Sequence, residues 1–252
     1  MYISVSVDIQ RLMDQSTTEV ETCSSRDLVK SLSRVLASSQ PIANVKVPRT
    51  LPRVGSLKVI LSMMYGGKSS YLIHIIETLG YACKVLYVNH SLDTRGKGKP
   101  YSTHSISLSE SLSSRLNATM IQVEKLASLP VDLLATHSVV CIDEGQFFSD
   151  LCDRVNYMVN ELHLDVYVAG LNGDSRRQKF GSILDLIPNA DEVMILRDTL
   201  CSVCASNGDR VPALFTWRIK DSPEQIETGA KNYIPVCRGC YNYLEKERIE
   251  SK

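Results

Sequence analysis

Residues Leu57 to Leu72, LKVILSMMYGGKSSYL, limit what this chain can fold into more than any other stretch. The apolar run Leu57 to Leu61 has the length of a buried strand. Gly66 and Gly67 break it. Lys68, Ser69 and Ser70 follow, and Leu72, Ile75, Ile76 and Leu79 then recur at helical spacing. Strand, glycine turn, lysine, hydroxyl and helix, in that order, form a phosphate-binding loop. A triphosphate tail needs several backbone N–H donors aimed at one spot, and a loop feeding a helix N-terminus supplies them. The candidate phosphate-binding residues are Ser62, Met63, Met64, Tyr65, Gly66, Gly67, Lys68, Ser69 and Ser70. Lys68 is placed to reach the β- and γ-phosphates as a point charge, and Ser69 to put its hydroxyl on Mg²⁺. One position departs from the pattern. Ser62 stands where the first glycine usually does, and its Cβ resists positive φ. If the loop needs φ above zero there, the backbone is strained or adjusted.

The pattern around the loop predicts an α/β fold. Val85 to Val88, Thr119 to Val123, Val139 to Ile142, Val166 to Leu171 and Val193 to Leu196 read as strands. Between them, Leu108, Leu112 and Leu116 mark one helix face. Leu151, Val155, Met158 and Leu162 mark another, with Ser149 as its cap. Alternation of this kind predicts a mainly parallel sheet with helices on both faces. Ligands of such sheets bind at the carboxyl ends of the strands. The phosphate loop, Asp93 to Arg95 (DTR), Asp143 to Phe148 (DEGQFF) and Asn172 to Gly181 (NGDSRRQKFG) all fall at those ends.

The acidic pair Asp143–Glu144 follows an apolar strand downstream of the phosphate loop. A carboxylate in that place holds Mg²⁺ directly or through water. Successive strand residues face opposite ways, so the two carboxylates have different tasks. Asp143 is assigned to the metal and Glu144 to general-base work on a hydroxyl, which must come within about 3 Å.

Four of the eight cysteines form two CxxC pairs, Cys201–Cys204 and Cys237–Cys240, separated by thirty-two residues. Two such knuckles offer four thiolates to a structural, tetrahedral zinc. A redox role would need only one pair. Cys83 and Cys141 border or lie in apolar runs and read as core.

The 252 residues suffice for one sizeable α/β domain and a small appendage. The divisions expected are an N-terminal extension (1–54), a nucleotide-binding core (55–198), a zinc-binding segment (199–245) and a tail (246–252). In the extension, Ile3 to Ile9 alternates like a strand, Leu28, Leu32 and Leu36 line a short helix, and Pro41, Pro48 and Pro52 interrupt regular structure. Lys+Arg and Asp+Glu each total 28, so the chain lacks the basic footprint of a nucleic-acid binder. No apolar run reaches membrane-spanning length, and the first fifteen residues lack the basic start and apolar core of a secretory signal. Reduced thiols and a cytoplasmic location are expected.

Taken together, GGKS, DTR, THS (Thr103 to Ser105), IDEGQFF, a glycine–phenylalanine loop after the next strand and CxxC…CxxC resemble the type II thymidine kinases, the cytosolic and viral class. The resemblance runs from about Leu57 to Tyr243. It implies a P-loop kinase core with a zinc-bearing lasso domain, ATP and Mg²⁺ as cofactors, and transfer of the γ-phosphate to the 5′-hydroxyl of thymidine. It also implies a homotetramer. By position, Asp93 and Arg95 border the phosphate site. Gln146, Phe147 and Phe180 belong to the nucleoside side. Ile226 to Cys237 resembles the lasso that closes over the nucleoside, with Ile226, Thr228, Gly229 and Tyr233 as its contacts. The chain departs from the family at Ser62, at Met63, where proline is frequent, and at Ser175, where an aromatic residue is frequent.

Overall fold

The computed structural model describes residues 53–93, 117–220, 222–225 and 232–251. The expectations for residues 1–52, the helix through Leu108 to Leu116, the THS segment, and Arg95, Ile226, Thr228 and Gly229 lie outside the described residues.

A six-stranded, all-parallel sheet carries the core. Its strands are β1 (Ser56–Ser62), β2 (Val85–His90), β3 (Ala118–Val123), β4 (Val139–Ile142), β5 (Asp165–Leu171) and β6 (Glu192–Ile195), in the order β3-β2-β4-β5-β1-β6. All six expected strands are present. The inner strands β2 and β4 are buried along their whole length, as expected of a sheet covered on both faces, whereas the edge strands β3 and β6 are half-buried or exposed. Leu57, Val59 and Leu61 of β1 turn toward one face. There they join Val166 and Val168 of β5 and Leu151, Val155 and Met158 of α3 (Leu151–Asn160). Ile60 turns to the other face and meets Leu72 and Ile76 of α1 (Lys68–Leu79). The period-two alternation along β1 thus serves two cores at once. A short helix, α2 (Val131–Ala135), precedes β4.

One local expectation fails. The residue capping α3 is Asp150, not Ser149, and its carboxylate does not cap that helix. It accepts instead from the backbone N–H groups of Leu126 and Ala127, at 3.2 and 2.8 Å. Two unpaired donors in a neighbouring turn compete for the carboxylate with the helix N-terminus, and the turn wins.

Beyond β6 the chain builds a small module of α4 (Ser202–Ser206), the antiparallel pair β7 (Phe215–Arg218) and β8 (Tyr233–Val236), and α5 (Arg238–Glu250). Its core is Cys201, Trp217, Val236 and Tyr241. The Tyr241 ring meets Trp217 edge-on, with centroids 5.1 Å apart. Arg248 lies over the indole at 3.9 Å. Such contacts let a module with few aliphatic residues order itself.

Candidate active site

The loop after β1 follows from two residues with positive φ, Tyr65 (65°) and Gly67 (81°). Ser62 is not one of them. It ends β1, pairs with Leu171, and its buried hydroxyl donates to the Leu196 carbonyl at 2.8 Å. The strain considered for Ser62 is therefore absent: the turn is made three residues later. Close approach explains the glycine at position 66. A Cβ there would lie 1.7 Å from the Ser62 hydroxyl oxygen.

Lys68 is buried and donates its Nζ to the Met63 carbonyl at 2.9 Å, across the base of the loop. Ser69 is half-buried and Ser70 exposed, both in the first turn of α1. The outer side of the loop leans on the cysteine module. Met64 donates its N–H to the Thr216 hydroxyl at 3.0 Å, and Thr199 donates its hydroxyl to the Tyr65 carbonyl at 2.7 Å. The Met64 amide is thus committed to holding the loop in place.

Asp143 and Glu144 follow β4 directly and are both buried. β5 separates β4 from β1, so the acidic pair and the phosphate loop lie at the same end of the sheet on strands about 10 Å apart. Asp143 is held at both oxygens. Tyr87 on β2 donates its hydroxyl to Oδ2 at 2.9 Å, and Glu144 donates its N–H to Oδ1 at 2.9 Å. Burial, then the Asp143 charge, push the Tyr87 phenol well above its usual range, so it stays a donor. Tyr87 was missed in the sequence because it lies within an apolar strand run. Its only signal was a hydroxyl tip one strand away from an acidic pair. Replacing Tyr87 by phenylalanine should leave a buried carboxylate oxygen short of one donor, at a cost of about 1–3 kcal/mol. Calorimetry should show Tm falling by roughly 2–4 °C per kcal/mol for a domain of this size.

Glu144 adopts φ 52° and ψ 42°, in the left-handed region. A residue with a Cβ is held there at a cost on the order of 1–3 kcal/mol, and such strain gathers at functional sites. Gln146 donates its Nε2 to Glu144 Oε2 at 2.6 Å. Phe147 and Phe180 come together edge-on, with centroids 5.5 Å apart, and the His90 ring is tilted against Phe147 at 5.7 Å. Asp93 is buried and accepts from the Asn89 amide at 3.0 Å. Tyr233, on β8, is buried beneath the Arg218 guanidinium, 5.4 Å from its ring centre. Ser175 contributes its carbonyl oxygen to the Tyr241 hydroxyl at 2.8 Å, which ties the loop after β5 to the cysteine module.

The four paired cysteines converge. All their sulfur atoms lie within 4.8 Å of one another. Cys204 Sγ is 3.8 Å from Cys237 Sγ and 3.5 Å from Cys240 Sγ. A tetrahedron with Zn–S bonds of about 2.3 Å has edges of about 3.8 Å, so the arrangement is compatible with zinc. Burial alone would raise the Cys201 thiol, but hydrogen bonds from the Cys204 and Cys237 backbone outweigh it and bring it to about 7. Burial and the neighbouring thiols push Cys240 up. A divalent ion binds the thiolates and so favours their deprotonated form. For Mg²⁺, the Ser69 hydroxyl and the Asp143 carboxylate are hard oxygen donors of the right chemistry.

A phosphate loop entering a helix, with an acidic pair two strands away at the same end of a parallel sheet, marks a P-loop nucleotide-binding core. Residues 55–241 match the family model described as Thymidine kinase. The thymidine kinase of Yaba monkey tumor virus is 35% identical over 193 residues, covering 75% of this chain and 96% of the viral one. The cytosolic thymidine kinases of Cricetulus griseus and Homo sapiens are 33% and 32% identical over 204 residues, each covering 78% of this chain and 80% of theirs. The chain belongs to the thymidine kinase family and is an ATP-dependent nucleoside kinase, a transferase. Among the described residues, no helix is long and apolar enough to cross a membrane.

Proposed function

We propose that this protein transfers the γ-phosphate of ATP to the 5′-hydroxyl of thymidine or deoxyuridine, supplying a monophosphate for DNA precursor synthesis in the cytoplasm. The observation that carries this is Glu144. It is a buried carboxylate, held in a strained backbone conformation at the phosphate-loop end of the sheet, with a wall of Phe147 and Phe180 nearby. Glu144 takes the proton of the 5′-hydroxyl as that oxygen attacks phosphorus. Lys68 and the amides at the start of α1 hold the transferring phosphate oxygens, and Asp143 and Ser69 hold Mg²⁺. The ion, when bound, neutralises charge that develops on those oxygens. Phe147 and Phe180 pack against the nucleoside, and Asp93 with Arg95 borders the phosphates. The lasso contacts at Ile226, Thr228, Gly229 and Tyr233 and a homotetrameric assembly are carried from the family resemblance. Residues 55–198 act as the kinase core and 199–245 as the lasso domain.

Specificity follows from volume. A site closed around a sugar and a pyrimidine excludes purines. Turnover compared on thymidine, deoxyuridine, deoxycytidine and deoxyguanosine tests this. Thymidine and deoxyuridine should be preferred. Deoxycytidine or deoxyguanosine turned over as fast as thymidine would show a broader deoxynucleoside kinase, consistent with the small side chain at Ser175.

The four cysteines hold one structural zinc. Protein purified without chelator should contain one zinc per chain by metal analysis. Cys237→Ser should lower that content and destabilise the module, since metal binding and folding are coupled. Zinc-free protein of unchanged stability would contradict the assignment.

A further inference from the structure

Both polar ends of the Gln146 carboxamide are engaged inside the protein, and its surroundings suggest a task other than reading a ligand. Gln146 is only 3% exposed. Its Nε2 donates to Glu144 Oε2 at 2.6 Å, and its Oε1 accepts the Leu171 N–H at 2.9 Å, so both ends of the amide are engaged. One end is thus fixed to the last residue of β5, a strand deep in the sheet, and the other to the proposed base. Two glycines make the seat. A Cβ at Gly170 would come 2.6 Å from Gln146 Oε1, and a Cβ at Gly181, where φ is 58°, would come 2.1 Å from the Gln146 carbonyl oxygen. Gly170 thus leaves room for the carboxamide, and Gly181 for the main chain of Gln146.

We propose that Gln146 is a positioning residue, which fixes the Glu144 carboxylate to the sheet instead of contacting the nucleoside. This rests on Glu144 being the base, as set out above. The physical reason is the geometry of proton removal. Glu144 leaves β4 through a strained turn, and its side chain carries three rotatable bonds between backbone and carboxylate. A short hydrogen bond to a charged oxygen is among the stronger ones available, and it selects one rotamer. The Leu171 N–H selects in turn the orientation of the amide, so that an N–H and not a carbonyl oxygen faces Glu144. The carboxylate is thereby preset before substrate arrives, and a misplacement of about 1 Å at a reacting group costs on the order of 10²-fold in rate.

Two variants separate this from nucleoside recognition. Gln146→Asn keeps a neutral amide but is one methylene too short to bond both Leu171 and Glu144. Gln146→Met keeps the approximate volume and removes both bonds. Thymidine affinity is measured by calorimetry and kcat at saturating ATP and thymidine. In both variants kcat should fall by at least tenfold, with thymidine Kd changing less than threefold. A merely structural role would not produce that division. The proposal is overturned if Kd rises by more than kcat falls, which would mean that the amide reads the nucleoside. It is also overturned if neither quantity moves in a folded variant. Should Gln146→Met not fold, Gln146→Asn decides alone. Failure of the wider functional reading looks different: the unaltered protein would then show no thymidine-dependent turnover at all.

Discussion

Glu144→Gln should lower kcat for thymidine phosphorylation by about 10²-fold or more while leaving thymidine affinity near that of the parent. The substitution keeps length and volume. Its new amide can still offer an oxygen to Gln146 Nε2, which now lies 2.6 Å from Glu144 Oε2, so the local packing has no reason to change. The backbone turn at φ 52° is held by the Asp143 carboxylate through the Glu144 N–H, a contact that the side chain does not enter. What is lost is the negative charge and, with it, the ability to accept a proton. Steady-state kinetics with a parallel binding measurement checks this. Turnover close to that of the parent would mean that another group takes the proton.

Lys68→Ala should be comparably severe and should divide differently. The ammonium group is buried and spans the base of the loop to the Met63 carbonyl at 2.9 Å. Removing it takes away a fixed positive charge where the β- and γ-phosphates are expected. It also releases a carbonyl that helps close the loop. Loss of one such electrostatic contact costs on the order of 10²–10³-fold in rate, and the KM for ATP should rise as well. Thymidine affinity should change far less. Parent-like values of kcat and of the KM for ATP would show that the loop does not hold the triphosphate.

The contrast between these two residues and Tyr87 or Gln146 shows what the sequence could reveal. Lys68 and Glu144 lie in short contiguous patterns whose spacing is itself the chemistry. The strands were legible because a buried parallel sheet requires apolar runs, and Val85 to Val88, Val139 to Ile142 and Val166 to Leu171 supply them. The Tyr87–Asp143 contact joins residues fifty-six positions apart, and the Gln146–Leu171 contact joins residues twenty-five apart. Both depend on the strand order β2-β4-β5, which no local spacing encodes. Ser62 is the opposite case. A pattern position suggested strain, but its part in the ladder with Leu171 and its bond to Leu196 place it in ordinary strand geometry. The β7–β8 pair escaped notice because its strands are four residues each and carry polar and proline residues among the apolar ones. Packing on Tyr241 and the cysteine cluster, more than strand propensity, holds that pair.

Phosphoryl transfer to a nucleoside hydroxyl is tested most directly by following the label from γ-labelled ATP. Purified protein with Mg²⁺ and thymidine should place the label in thymidine 5′-monophosphate, and Glu144→Gln should all but abolish that product. Label released only as inorganic phosphate, at a rate indifferent to thymidine, would contradict the assignment.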